Sequence, residues 1–350
     1  MFAIATASEA HAGNALPCWP AALETDVVAT ARGFDGTLNV YVKDLSTGEE
    51  YGHNALTPAY LASTTKLLVM AEVLRQVDSG LLTLDQAVTF NPEDLRDGAG
   101  PVKSAAPGTT FTVAFLLDVM MGDSDNTATD LLIRLVGLEN VNKNAADRGL
   151  RLGPVTTLLD VRRHVYGALH PDGFNLTPEQ IFELWLERKQ PARAQRLSKL
   201  VKRSPAFTAA DLERAWRDYY RQNLNTASMQ QMGALLEQLS QCTGLSPTSC
   251  QTSHALLRGC RTGSSRIRAG IPPQTVWAHK TGTQHRRACD VGLLYVTPER
   301  PVALAVCARD FERPADADRA LARVGKAVWK ALSAESCPVT GASPAAGLPR

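Results

Sequence analysis

Strand patterns occur near both ends of the sequence, whereas helical patterns fill its middle. Apolar and polar residues alternate from Thr37 to Asp44, which predicts a strand, and a Ser-Thr-Gly turn leads to a second strand near 49–54. The pattern between 127 and 240 is mostly helical. Strand patterns return at 276–280, 291–296 and 302–306. We therefore expect one sheet assembled from both ends of the chain, with a helical domain inserted between its strands.

The predicted fold class is α/β, of the α+β kind, with two domains. The expected bounds are 26–60 and 260–335 for the α/β domain, 61–259 for the α domain, 1–25 for an N-terminal segment and 336–350 for a tail. The tail is rich in proline, glycine and alanine and is predicted to be disordered. Two short pieces rich in leucine and alanine, 82–88 and 111–121, are predicted to be helical.

The composition is typical of a globular chain. Of the 350 residues, 44% are hydrophobic and 21% are charged, which is enough for two modest domains. The net charge of +2 provides no overall attraction to nucleic acid. No run approaches the roughly 18 apolar residues that a membrane span needs. We therefore expect no nucleic-acid partner and no membrane span. A monomer is also expected, although the composition does not determine the oligomeric state.

The first twelve residues are mostly small and apolar and end in Ala10-His11-Ala12, which resembles a signal-peptidase site. The segment contains no basic n-region. A trimmed signal peptide and an ordinary disordered N-terminus therefore both remain open.

Seven cysteines are many for a cytosolic enzyme, and none of them forms a Cys-x-x-Cys pair. An oxidising compartment is favoured, so we expect a periplasmic or secreted protein. Cys242, Cys250 and Cys260 are close enough in sequence for a bridge among them, and Cys18 could pair with Cys337. The pairing stays open, and an odd count leaves at least one thiol over.

A serine and a lysine stand three positions apart at the start of an apolar run. Ser63 and Lys66 open a stretch without glycine or proline that predicts the first turn of a buried helix. Side chains at this spacing share a helix face, so the lysine can reach the serine hydroxyl. Lysine can take the serine proton if burial or nearby charge lowers its pKa. The pair indicates a serine acyl-transfer site, and the alternative is a capping serine beside a surface lysine.

Two further polar clusters favour the acyl-transfer interpretation. Ser124-Asp125-Asn126 follows Ser63 by 61 positions and precedes a predicted helix, and Lys280-Thr281-Gly282 ends a predicted strand. In this order, Ser-x-x-Lys, Ser-Asp-Asn and Lys-Thr-Gly resemble the three motifs of the class A β-lactamases and penicillin-binding proteins. Similarity to this family also extends over 62–68, 77–86, 121–132 and 266–283.

The resemblance covers roughly residues 35–335 with one large gap. It implies an α domain beside an α/β domain with a five-stranded antiparallel sheet, and an active site in the cleft between them. It also implies a β-lactam or a cell-wall peptide as substrate. No metal or organic cofactor is implied, because the acyl-enzyme route uses only side chains and water.

The resemblance gives four residues catalytic roles. Ser63 attacks the carbonyl carbon, and Lys66 acts as base or proton relay. Ser124 passes a proton to the departing nitrogen. Lys280 holds the Ser124 hydroxyl and attracts the substrate carboxylate.

The implied substrate-binding residues are Asn126, Thr281, Gly282, Thr283 and Arg266. Asn126 can bond the amide of the substrate side chain and Lys66, and the oxyanion is expected between the backbone N–H groups of Ser63 and Thr283. Arg266 matches an arginine that binds the substrate carboxylate in some class A enzymes. A structural salt bridge is the alternative for Arg266, since Arg268 competes for the role. Asp125 is expected to brace its loop by accepting hydrogen bonds.

One family motif is missing from the sequence. Class A β-lactamases release the acyl group with a glutamate in a Glu-x-x-Leu-Asn pattern, and nothing between Asn126 and Ser228 matches it. The family's usual distance from the Ser-Asp-Asn motif leads to Asp160, which is the tentative deacylation base. An ordinary loop acid is the alternative, and Glu179 and Glu183 are further candidates.

The region around the missing motif is enlarged. Residues 225–232 resemble the helix that normally follows the glutamate loop, which leaves a helical insertion of roughly fifty residues near 170–222. It is predicted to form two or three helices with a basic middle, for which a solvated helix face is the ordinary explanation and an anionic cell-wall polymer the alternative. The stretch Asp97-Gly98-Ala99-Gly100-Pro101 lacks the aromatic residue that often gates the β-lactamase pocket.

The sequence thus predicts a class A β-lactamase-like serine hydrolase that opens β-lactam rings through an acyl-enzyme on Ser63. The alternatives are a D-alanyl-D-alanine carboxypeptidase and a slowly deacylating penicillin-binding protein or sensor. All three use the same serine chemistry, so the motifs do not separate them.

Overall fold

The computed structural model describes residues 18–334. Its strands are β1 (Thr37–Asp44), β2 (Glu50–His53), β3 (Ala59–Tyr60), β4 (Ala87–Thr89), β5 (Thr110–Thr112), β6 (Thr226–Ala227), β7 (Val276–Gln284), β8 (Arg287–Thr297) and β9 (Arg300–Arg309). Its helices are α1 (Cys18–Arg32), α2 (Lys66–Asp78), α3 (Val113–Gly122), α4 (Asn126–Val136), α5 (Leu138–Asp147), α6 (Leu158–Gly167), α7 (Pro178–Leu186), α8 (Gln190–Leu200), α9 (Ala209–Tyr220), α10 (Met229–Ser240), α11 (Pro247–Arg258), α12 (Ile267–Gly270) and α13 (Pro314–Ser333).

A five-stranded antiparallel sheet joins strands from both ends of the described chain. Its order is β2-β1-β9-β8-β7, so β1 lies between its hairpin partner and a strand from the C-terminal part. This confirms the predicted α/β fold class. Strand β7 forms one edge of the sheet and packs against the turn Ala62–Thr65 and helix α11.

Both faces of the sheet are buried. On β1, the alternating residues Leu38, Val40 and Val42 pack with α1 and α13 on one face. Tyr41 points to the other face and packs among residues of α2, α3, α4 and α10. The alternation that predicted the strand therefore separates two cores, one on each side of the sheet.

The insertion near 170–222 has a hydrophobic core of its own. It consists of a 3-10 turn, Pro171–Asn175, followed by α7, α8 and α9. Leu184, Leu197 and Trp216 are buried together in this core, which also includes Tyr60 and Val165 from outside the insertion. The prediction of two or three helices is confirmed.

Two local expectations differ from the structure. The segment 82–88 is not a helix, because residues 87–89 form β4. The partner strand β5 includes residues 111 and 112, so the predicted helix 111–121 begins only at Val113, in α3. Pairing with a distant strand overrides the leucine-rich pattern, because it satisfies backbone groups that a single turn leaves open. Helix α1 begins at Cys18, inside the segment 1–25; residues 1–17 and the tail 336–350 lie outside the described residues.

Two disulfides cross-link the described chain. Cys242 pairs with Cys250, as the sequence spacing allowed. Cys289 pairs with Cys307 across β8 and β9, where the two residues are direct partners in the ladder. Cys260 is free. The suggested pairing of Cys18 with Cys337 stays a prediction, because Cys337 lies outside the described residues. Between 18 and 334, no helix is both long and apolar enough for a bilayer.

Candidate active site

Ser63 lies on a 3-10 turn, Ala62–Thr65, that runs directly into α2. The sequence predicted the first turn of a buried helix here, and the structure replaces that turn with a tighter one. The half-buried serine lines a cleft of about 400 Å³ between this turn, the start of α4 and the edge strand β7. Ser124, Asn126, Thr281, Thr283 and Arg266 line the same cleft.

The Lys66 side chain is fully buried and joins the first two motifs. Its Nζ atom donates to the backbone oxygen of Ser124 at 2.7 Å and to Asn126 Oδ1 at 2.9 Å, and it lies 3.1 Å from Ser124 Oγ. The hydrogen bonds of Lys66 thus reach the second motif, and the predicted direct bond to Ser63 is not among them. Burial, helped by the charge of Lys280, holds the pKa of Lys66 well below its usual value, which favours a neutral amine.

Lys280 connects the third motif to the same serine. Its Nζ atom donates to Ser124 Oγ at 3.0 Å and to the backbone oxygen of Thr281 at 3.0 Å. Burial lowers the pKa of Lys280 to about 8, so most molecules carry the charge at neutral pH. Ser124 Oγ therefore stands between two lysine amines.

The Ser124 backbone has a left-handed conformation, with φ at 61°. Few residues other than glycine adopt it, and such strain is common where a side chain must be aimed at a functional site. The neighbouring Asp125 braces the turn, as predicted: its carboxylate accepts hydrogen bonds from the backbone N–H groups of Ala128 at 2.7 Å and Val102 at 2.8 Å.

Gly282 brings the edge strand close to the Ser63 turn. A Cβ atom at this position would overlap the backbone oxygen of Leu61 and would lie 3.2 Å from the backbone nitrogen of Ser63. Only glycine permits this approach. It brings the backbones of Ser63 and Thr283 to the same part of the cleft, which is the arrangement an oxyanion site requires.

Arg266 is buried behind the third motif and is also an ion-pair partner. Its guanidinium donates to Asp318 Oδ1 at 2.9 Å, to the backbone oxygens of Gly282 and Cys289 at 2.9 Å each, and to Thr283 Oγ1 at 2.7 Å. One of its five N–H groups is left over. Arg268 instead donates to backbone oxygens of the segment 271–275 and does not line the cleft.

The family model described as "Beta-lactamase enzyme family" matches residues 22–332. The match includes every motif residue of the cleft and most of the chain. The chain belongs to the β-lactamase enzyme family.

Three relatives illustrate how far the family similarity extends. The extended-spectrum β-lactamase PER-1 of Pseudomonas aeruginosa is 27% identical over 259 residues, which is 71% of this chain and 67% of PER-1. A reconstructed class A β-lactamase of the last common ancestor of Gram-negative bacteria is 26% identical, with a TM-score of 0.67, covering 89% of this chain and 99% of the ancestor. A PBP-A mutant, solved as an acyl-enzyme complex with penicillin-G, shares the fold at 18% identity, with a TM-score of 0.67 over 89% of this chain and 96% of PBP-A.

This β-lactamase-family chain has no carboxylate on the walls of the cleft that the structure describes. The tentative base Asp160 lies in the first turn of α6, where Thr157 Oγ1 donates to its carboxylate at 2.6 Å. The cleft is lined instead by its neighbours Leu158, Val161 and Arg162. Glu179 is exposed, and Glu183 forms a surface ion pair with Arg196. The structure thus brings none of the three acidic candidates to the cleft.

The insertion contributes an aromatic wall to the cleft. Trp185, near the end of α7, lines it together with Gly98 and Ala99 of the segment that lacks the gating aromatic residue. Two cations lie over the Trp185 ring, with Arg188 at 4.6 Å and Lys103 at 5.7 Å from its centre. This part of the family's cleft therefore takes its aromatic side chain from a different place in the sequence.

Sequence reasoning missed Trp185 and Arg162 as cleft residues. Arg162 is held by Asp97 at 2.7 Å and lies 5.4 Å over the Trp216 ring. Burial opposes its charge, yet the Asp97 carboxylate keeps its pKa raised. Both residues stand in patterns that predict ordinary amphipathic helices. The one available indication was Arg162 itself, a cation beside the counted position of the missing glutamate.

Proposed function

We propose that this protein is a class A β-lactamase-like serine hydrolase that opens β-lactam rings through an acyl-enzyme on Ser63. The observation that carries the proposal is the linkage of all three motifs at one hydroxyl, in which Ser124 Oγ lies 3.1 Å from Lys66 Nζ and 3.0 Å from Lys280 Nζ. Membership of the β-lactamase enzyme family supports the same reaction.

Acylation begins with a proton transfer from Ser63. A neutral Lys66 has two N–H donors, which serve the backbone oxygen of Ser124 and Asn126, and one lone pair, which accepts the Ser63 proton. Ser63 Oγ then attacks the lactam carbonyl carbon, and the oxyanion is stabilised by the backbone N–H groups of Ser63 and Thr283. As the carbon–nitrogen bond breaks, Ser124 gives its proton to the nitrogen and regains one from a lysine.

Deacylation is the slower half of the proposed cycle. A general base must take a proton from the attacking water, and carboxylates do not line the described cleft. Lys66 is the remaining base with a lowered pKa beside Ser63. Lys66 is neutral again once it has passed the Ser63 proton to Ser124 Oγ, 3.1 Å away, so this single buried amine must serve both half-reactions. We therefore propose that the acyl-enzyme accumulates during turnover.

The substrate is proposed to be anionic. Arg162 and Arg266 line the cleft and Lys280 lies beneath it, while no aspartate or glutamate of the described chain forms its wall. Thr281 and Thr283 add hydroxyl groups beside these cations. A carboxylate next to a carbonyl, as β-lactams carry on the fused ring, fits this set. Trp185 provides a flat apolar surface for the substrate's acyl side chain.

The decisive experiment mixes the protein with a chromogenic cephalosporin and follows the colour and the intact mass together. Sustained colour with a transient mass increase on Ser63 supports the proposal. A single equivalent of colour with a permanent adduct would instead indicate a penicillin-binding protein or sensor. Release of D-alanine from a model peptide would then identify a carboxypeptidase. Neither colour nor adduct, with the Ser63→Ala variant behaving identically, would refute the acyl-enzyme route.

We also propose that the protein acts as a monomer in the periplasm or outside the cell. The two disulfides, Cys242–Cys250 and Cys289–Cys307, support an oxidising compartment. Size-exclusion chromatography with light scattering and cell fractionation test the two statements.

A further inference from the structure

A second group of reactive side chains lies next to the cleft and has no part in the proposed mechanism. His279, on β7, bonds through Nδ1 to Asp290 Oδ1 at 2.7 Å, and both side chains are buried. Cys260 and His279 line the same cavity. The thiol Sγ atom also lies 3.4 Å from Thr262 Oγ1. A thiol, an imidazole and a carboxylate placed next to one another in this order form the arrangement that activates nucleophilic cysteines.

The thiol is accessible from the surface. Cys260 is half-buried and lines a cavity on the outer side of β7, together with His279 and Trp277. Arg258, Arg261 and Arg268 also line this cavity. Arg261 is paired with Asp118 and Asp123, whereas no carboxylate ion-pairs with the other two arginines within the described part of the chain. The entrance is therefore positively charged, which favours anionic reagents.

The charged groups around the thiol favour its ionised form. Burial alone raises the pKa of Cys260, but the hydrogen bond and charge of His279, together with Lys280, lower it to about 6. For His279, burial disfavours the charged form and lowers the pKa. The Asp290 carboxylate and the thiolate outweigh burial and raise the pKa of His279 to about 9. Both shifts favour a thiolate beside an imidazolium. The cavity arginines, Lys280 and Asp290 are the charged groups that face it.

The cysteine is also linked to the catalytic cleft. Thr262 contacts the thiol on one side, and its hydroxyl bonds to Thr281 Oγ1 at 2.6 Å on the other. Both threonines line the cleft. A group attached to the sulfur changes its contact with Thr262, and a shift of Thr262 breaks or moves the hydrogen bond to the Thr281 hydroxyl.

We propose that Cys260, His279 and Asp290 form a covalent modification site for small anionic disulfides, and that modification of Cys260 slows acylation of Ser63. The second part rests on the proposed function, and the first part does not. In the reaction the Cys260 thiolate attacks one sulfur of the disulfide. A new sulfur–sulfur bond forms, the original one breaks, and the second sulfur leaves as a thiolate with the bonding electrons.

The test uses the full-length protein and the dianionic aromatic disulfide 5,5′-dithiobis(2-nitrobenzoic acid), whose released thiolate is coloured. The difference between wild type and Cys260→Ala isolates this thiol from every other cysteine. A thiol with a pKa of about 6 is about half ionised at pH 6, whereas an ordinary thiol with a pKa of about 8.5 is less than about 1% ionised there. After allowance for its lower intrinsic nucleophilicity, we expect Cys260 to react about tenfold faster at pH 6 than in His279→Gln.

His285→Gln is the matched control, because His285 forms a similar pair with Glu213 at 2.8 Å in the same hairpin but does not line the cavity. It should react like wild type. The wild-type rate measured against pH needs no variant and should reach half its maximum near pH 6. No labelling above Cys260→Ala, a midpoint above about pH 8, or equal rates in both histidine variants would overturn the modification site.

The link to the cleft is tested on protein labelled at Cys260. Its rate of penicillin adduct formation, followed by intact mass, should fall at least about fivefold and recover when a mild thiol removes the label. Cys260→Ala treated with the same reagent should keep its rate. An unchanged rate in labelled wild type would overturn the link. If unlabelled protein forms no adduct at all, the proposed function fails while the labelling result stands.

Discussion

Substitution of Arg266 or Arg268 by alanine separates substrate binding from structural support at one end of the sheet. Arg266 donates to two backbone oxygens, those of Gly282 and Cys289, and Arg268 donates to three, in the segment 271–275. Loss of a typical hydrogen bond of this kind costs about 1 kcal/mol. Each variant should therefore lose about 2–3 kcal/mol of folding free energy. The ion pair of Arg266 with the partly exposed Asp318 adds little to this difference.

Their effects on acylation should differ. Arg266 lines the cleft, holds Thr283 Oγ1 at 2.7 Å and has one N–H group left for a carboxylate, whereas Arg268 has no contact with the cleft. A charge-assisted hydrogen bond is worth about 1.5–3 kcal/mol. Arg266→Ala should thus lower the second-order acylation rate constant by about 10-fold to 150-fold. Arg268→Ala should leave it within about threefold of wild type.

The assay measures adduct formation by quenched-flow mass spectrometry, and thermal unfolding reports stability. The same measurement with a penicillin methyl ester removes the carboxylate that Arg266 is proposed to bind. The loss in Arg266→Ala should then shrink to about the level of Arg268→Ala. An equal loss for the acid and the ester, or an equal loss in both variants, would refute the assignment of Arg266 to the substrate carboxylate.

Four further outcomes follow from the site. The wild-type acylation rate should fall above about pH 8 as Lys280 loses its charge. The Lys280→Arg variant should acylate more slowly but keep its rate to higher pH. A wild-type rate that does not change up to pH 10 would contradict the role of this cation. Gly282→Ala should lower the acylation rate about 100-fold or more, because its Cβ would overlap the Leu61 oxygen and push the two N–H groups of the oxyanion site apart. The circular dichroism spectrum should not change. A near-normal acylation rate would show that the edge strand can shift. Leu158→Glu should shorten the lifetime of the acyl-enzyme at least about tenfold, since it adds a carboxylate to a wall that has none; an unchanged lifetime by intact mass would count against base-limited deacylation. Trp185→Ala should raise KM about tenfold for penicillins with aromatic side chains and less than about twofold for 6-aminopenicillanic acid. Equal effects on both substrates would exclude a contact between Trp185 and the acyl side chain of the substrate.

The three motifs that meet at the floor of the cleft could be found in the sequence because each of them is local. Ser63 with Lys66, and Lys280 with Gly282, need only their own turn or strand to be placed, and the alternation in Thr37–Asp44 identifies a strand directly. The pairing of Cys289 with Cys307 was missed because it depends on the register of two strands, which their composition does not reveal.

Asp160 shows the limit of counting positions from a motif. The count assumes that the loop follows the family's path, yet here Thr157 caps α6 and bonds to the Asp160 carboxylate. A local capping interaction therefore determines the direction of this side chain. Trp185 could not be predicted because it enters the cleft from an insertion whose docking depends on tertiary packing.

The separate core of the insertion affects how this enzyme framework can diversify. Residues such as Leu197 and Trp216 stabilise that subdomain largely from within, so α8 and the loops beside it can change in length or sequence without moving the lysines beneath Ser124. New substrate preferences can thus arise at the rim while the chemical machinery stays fixed. Engineering of this chain should accordingly begin with libraries at exposed positions such as 202–206, while buried residues such as Leu197 are kept.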